Sequence, residues 1–163
     1  MNKRKIILAV FIILAGLLIT PICLPKKMEI NSSEIPNKQE RIENLSEEIV
    51  VFSKILDAEY DLFKSSGFGF TSDFILSQLG PTDTEYKFAV KVNPSDIKKW
   101  KKGLTETKGD INNERWIQEL TQARKKNWLT STKPIFYTRT NEINLTIVIY
   151  EKEGIIFKSI VQQ

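Results

Sequence analysis

The sequence predicts an α+β domain behind an N-terminal apolar helix, and three observations lead there. A nearly unbroken apolar run, Ile6 to Leu24, follows the basic cluster Lys3-Arg4-Lys5. The stretch from Gln39 to Ser65 carries apolar residues at three–four spacing. The C-terminal stretch holds three segments rich in β-branched and aromatic residues, Ile135 to Arg139, Ile143 to Tyr150 and Ile155 to Val161. Together they predict a transmembrane or signal helix, then an antiparallel sheet of about four strands packed against three to four helices.

The apolar run is 19 residues long. As a helix it would reach roughly 28 Å, close to the roughly 30 Å hydrocarbon core of a bilayer. The basic flank places the N-terminus in the cytoplasm and the rest outside. The expected organisation is a cytoplasmic flank (1–5), a transmembrane anchor or signal segment (6–24), a linker (25–38) and an exported α+β domain (39–163). Such a chain would sit in a bacterial inner membrane with one pass, its C-terminal domain periplasmic or extracellular. Thr20, Pro21 and Ile22 precede Cys23, which suits neither a small-residue cleavage site nor lipidation at Cys23. The retained anchor is therefore favoured, with secreted and lipoprotein forms left open.

Along the domain, Ile42, Leu45, Ile49, Phe52, Leu56 and Phe63 form one stripe, which predicts a single helix over 39–65 ended by Gly67 and Gly69. Ser72 to Leu79 reads as a short helix. Tyr86, Phe88, Val90 and Val92 alternate as in a half-buried strand. Asn93-Pro94-Ser95-Asp96 carries the capping residues of a following helix bearing Ile97 and Trp100. A loop over 102–110 and a helix from Glu114 capped by Asn113 come next. Gly154 sits where the last hairpin needs a positive φ.

The chain has no histidine, and its single cysteine lies in the leader. A Ser-His-Asp triad and a Cys–His pair are excluded. No glycine-rich phosphate loop is present, because Gly67-Phe68-Gly69 lacks the following lysine. Asp57 and Asp61 would share a helix face, as surface acids. No cofactor, metal or catalytic residue is expected, and the chain is read as a non-enzyme.

The formal charge of +4 misleads, since Lys3, Arg4, Lys5, Lys26 and Lys27 supply five of the 24 basic residues. Residues 28–85 hold 4 basic and 12 acidic residues, and residues 86–163 hold 15 and 8, so the halves carry −8 and +7. They either neutralise each other or leave a basic face that includes Lys98, Lys101 and Arg124. Nucleic acid is not an expected partner, because the net charge after the leader is near zero and no binding motif appears.

The segment Val90 to Trp100, with Trp128, Lys133-Pro134-Ile135-Phe136-Tyr137 and Glu153-Gly154-Ile155-Ile156-Phe157, resembles small, uncharacterised bacterial envelope proteins over about residues 86–160. In those a strand leads through a Pro-x-Asp turn into a tryptophan-bearing helix, and a terminal hairpin closes the domain. The resemblance implies a bacterial origin and an envelope location, and brings no catalytic residues.

The function expected is a membrane-tethered extracytoplasmic module that binds a protein partner, such as an immunity or accessory protein. Its interface would hold Phe68, Phe70, Trp100, Trp116, Trp128 and Tyr137 at the centre, with Lys98, Lys101 and Arg124 at the rim. The alternative is an envelope binder of small molecules or lipid headgroups, with an apolar pocket and a basic mouth. A carboxylate-dependent glycan hydrolase is the remaining reading.

Overall fold

The computed structural model describes residues 26–66, 82–140, 142 and 144–162. Most of them belong to one compact unit, Met28–Lys64 with Asp83–Gln163. A second unit, Met1–Lys27 with Ser65–Thr82, is described only at 26–27, 65–66 and 82.

Seven strands form one sheet in the order β1-β2-β3-β7-β6-β5-β4. They are β1 (Lys26–Asn31), β2 (Ile55–Ser66), β3 (Thr82–Val92), β4 (Thr105–Thr107), β5 (Ile135–Thr138), β6 (Leu145–Tyr150) and β7 (Ile155–Gln162). The pairs β3–β7, β7–β6, β6–β5 and β5–β4 are antiparallel. Among the described residues three α-helices accompany them: α1 (Lys38–Glu48), α2 (Ile97–Trp100) and α3 (Arg115–Thr121).

The helices cover both faces of the sheet. On one face, Leu45 of α1 and Ile97 and Trp100 of α2 pack with Tyr60, Phe88, Val90, Ile147, Ile149 and Ile156. On the other, Ile117 of α3 and Trp128 pack with Ala89, Phe136, Val148, Ile155 and Phe157. Alternation along β3, β5, β6 and β7 divides their side chains between these two cores. Central β7 sends Ile156 to the first and Ile155 and Phe157 to the second.

The α+β class stands, but the sheet has seven strands rather than about four. The expected long helix over 39–65 is a helix and a strand. α1 begins at its Asn37 cap, whose side chain accepts the Gln39 and Glu40 N–H groups, and ends at Glu48. Its end coincides with the β-branched run Ile49-Val50-Val51, which resists helix. From Asp57, acids at 57, 59 and 61 alternate with buried Ala58, Tyr60 and Leu62. That is a period of two, and it places Asp57, Glu59 and Asp61 on one strand face. Part of the expected linker is β1 and a 3-10 turn, Ser32–Glu34. The 102–110 loop contains β4. Asn113 does not cap the following helix: it ends a 3-10 turn, Ile111–Asn113, whose cap Asp110 accepts the Asn112 N–H, and α3 starts after Glu114 without a side-chain cap bond.

No helix among the described residues is long and apolar enough to cross a membrane. The expected spanning helix is therefore not part of the fold described, and the tether, the signal-anchor and the single-pass inner-membrane placement are withdrawn with it. The run 6–24, Cys23, Phe68, Phe70 and the helix expected at 72–79 lie outside the described residues.

Candidate functional site

Strand β2 places two carboxylates where water does not reach: Glu59 is fully buried and Asp57 nearly so. Both are met by arginines. Arg41 of α1 binds Asp57 at 2.8 Å. Arg124 grips Glu59 with Nε and with Nη2, the latter at 2.7 Å. Ser32 Oγ donates to Glu59 at 2.7 Å and accepts the Tyr60 N–H at 2.8 Å. Arg41 Nε donates to the Ala58 carbonyl at 2.9 Å, and Asn127 donates to Asp57 at 3.1 Å. These side chains satisfy β2 backbone groups beyond the end of β1. Each carboxylate is charge-paired and hydrogen-bonded, which suits structure rather than proton transfer. Among the described residues no group of three or more His, Cys, Asp or Glu could hold a metal ion.

Among the described residues, those expected to form a partner surface do not gather. Trp100 and Tyr137 are buried in the core on one face of the sheet, and Trp128 is buried in the core on the other, with Trp116 half-buried beside it. Trp100 Nε1 donates to Ser53 Oγ at 2.9 Å, and Trp116 Nε1 donates to Glu114. Lys98 is exposed, Lys101 binds Glu151 at 2.6 Å, and Arg124 is committed to Glu59. An interface centred on these four described aromatics has no continuous face to occupy, so the tethered protein-binding reading falls, and the immunity or accessory role with it.

A different place on the first face is concave. A cavity of about 340 Å³ lies between the end of α1, α2 and the sheet. Phe88 of β3, Ile147 of β6 and Ile156 and Ile160 of β7 line its sheet side. Trp100 and Leu104 close one side, and Val50 and Phe52 form part of its rim. Val50 is 73 % and Phe52 44 % exposed, unusual for side chains of that size. Phe52 meets Trp100 edge-on with ring centroids 5.3 Å apart.

The polar groups of this cavity are few. Tyr86 lies opposite Glu48 and donates to it at 3.4 Å, and burial and that carboxylate raise the tyrosine pKa. Arg139 pairs with Glu142 at 2.7 Å. Lys158 stands on β7 with its Nζ 5.9 Å from the centroid of the Phe88 ring. Burial holds its pKa below the ordinary lysine value; Glu142 opposes that shift and Arg139 adds to it.

Two other hollows lie on the α3 side. One, of about 850 Å³, is lined by Asn112, Arg115, Gln118, Gln122 and Lys125 among others. The second, of about 430 Å³, holds Asp61, Lys87 and Glu119, and burial raises the Asp61 pKa. Polar side chains make up most of the lining of each, whereas apolar ones make up most of the lining beside Phe88.

The sequence pattern conceals the Phe88 cavity. Val50 and Phe52 fall in the stretch expected as one helix, and Lys158 in an ordinary strand. The signal that does point to it is Ile156-x-Lys158-x-Ile160, a charge at an apolar position of a period-two pattern. No protein-family model, no curated protein and no solved structure matches this chain.

Proposed function

We propose that the domain binds a small, largely apolar molecule in the cavity beside Phe88. The observation that carries this reading is the cavity itself: about 340 Å³, walled by Phe88, Ile147, Ile156, Ile160 and Trp100, with exposed Phe52 at its edge. Its volume falls within the range of small-molecule sites, and its few polar groups suit orientation more than affinity. Burial of apolar ligand surface would drive binding at about 25 cal/mol per Å² before the cost of immobilisation. No membrane attachment or reaction is part of this reading.

The test uses a neutral apolar fluorophore, N-phenyl-1-naphthylamine, titrated into the protein. Saturable enhancement with one site per chain is expected. Ile160→Trp would fill the cavity from β7 and weaken the probe at least tenfold. Absence of saturable binding by the wild type would sink the reading, and so would a folded filled variant that binds as the wild type does.

A further inference from the structure

The cavity's wall contains a charge that the strand pattern does not explain. β7 lies in the middle of the seven-stranded sheet, bonded to β3 and β6. Lys158 is in register with Phe88 on one side and Ile147 on the other. Its neighbours along the same face, Ile156 and Ile160, are apolar. A β-branched residue would be the cheaper occupant of that position. Lys158 also forms no ion pair with a carboxylate among the described residues. Of the other charged groups lining the cavity, Arg139 is paired with Glu142, and Glu48 accepts the Tyr86 hydroxyl.

We infer that the ligand is an apolar monocarboxylate whose carboxylate seats on Lys158 and whose tail lies along Phe88, Ile147 and Ile156. This inference rests on the binding reading above. A ligand carboxylate would give the lysine the charge-assisted hydrogen bond that no carboxylate among the described residues provides. One lysine without a carboxylate partner among the described residues matches one negative charge, whereas a phosphate monoester would bring nearly two. The depressed lysine pKa agrees with a charge waiting for its counterion.

The experiment compares three ligands with the same tail, decanoate, decanol and decylamine, by calorimetric titration at neutral pH into the full chain. Decanoate is expected to bind at least tenfold tighter than decanol, with decylamine weakest. Lys158→Met should abolish the preference, so that decanoate binds that variant no tighter than decanol does. Lys158→Arg, which keeps the charge, should keep the preference and shows whether position 158 tolerates substitution. Equal binding of all three ligands would overturn the carboxylate inference while the apolar reading survives. Retained preference in a folded Lys158→Met would remove Lys158 as the seat. Failure of all three to bind would end both readings.

Discussion

Arg41 illustrates how one residue can replace a strand neighbour. It is 1 % exposed, yet its guanidinium is surrounded by acceptors: Asp57, Glu59 and the carbonyls of Ile35, Pro36 and Ala58. Arg41→Met keeps most of the stem and removes the donors. Asp57 then loses its charge partner in a low-dielectric site, so a loss of about 3–5 kcal/mol in urea unfolding is expected. Lys99→Ala, which removes an exposed pair with Asp96, should cost under about 1 kcal/mol in the same assay. Equal losses in the two variants would mean that the buried pair is no stronger than the surface one. Lys158 has the opposite sign. Its folded pKa lies below the unfolded value, so the penalty of holding its proton is full below the folded pKa and lifts as pH rises towards 10.5. Without ligand, Lys158→Met should therefore match or exceed wild-type stability at neutral pH.

At the scale of elements, the turn between β6 and β7 depends on Gly154. Its φ is +66°, and an added Cβ would lie 2.2 Å from the Val92 carbonyl oxygen, far inside van der Waals contact. The Gly154 carbonyl in turn accepts the Val92 N–H at 2.8 Å, joining this turn to the end of β3. Gly103 has a φ of +78°, and a Cβ added there would meet nothing within 4 Å. Gly103→Ala should cost about 1–2 kcal/mol for the left-handed backbone alone. Gly154→Ala adds the clash and should exceed it by more than about 1 kcal/mol in urea titration; similar losses would show that the turn relaxes away from Val92. The need for Gly154 was legible in the sequence, as were β3, β5, β6 and β7, because each is marked by its own residues. β2 was not, because Leu45, Ile49, Phe52 and Leu56 mimic a helical stripe across a real break at Ile49. β4 has three exposed residues and exists through its pairing with β5, and β1 has too little apolar content to stand out. The cavity was hard to read for a related reason: it is made by the juxtaposition of α1, α2 and the sheet, and Lys158 alone marks it within a segment.

Over the whole molecule, the acidic first half and basic second half meet most deeply at Arg124–Glu59, where a side chain from the α3 side enters the β2 network. Near the last hairpin, charge acts differently. Lys101 lowers the Glu151 pKa. The Glu153 carboxylate accepts from the N–H and hydroxyl of both Ser131 and Thr132, at 2.6 to 3.0 Å. These bonds pull its pKa from 4.5 to about 2 and fasten the segment before β5 to the β6–β7 turn. A depressed acid binds its proton more weakly in the folded state than in the unfolded chain. Its contribution is therefore complete above pH 4.5, declines as pH falls towards 2, and is lost below that value. Asp61, raised by burial, works against this trend, since acid favours its folded form. The two effects separate in a comparison of wild type with Glu153→Gln, because Asp61 is common to both. The stability difference between them, measured in urea from pH 7 to pH 2, should stay level above about pH 5 and shrink steadily below it. A difference that persists undiminished at pH 2 would assign the clamp to the shape of the side chain; one that closes would assign it to the carboxylate charge, and would place part of the fold's acid sensitivity in this single turn.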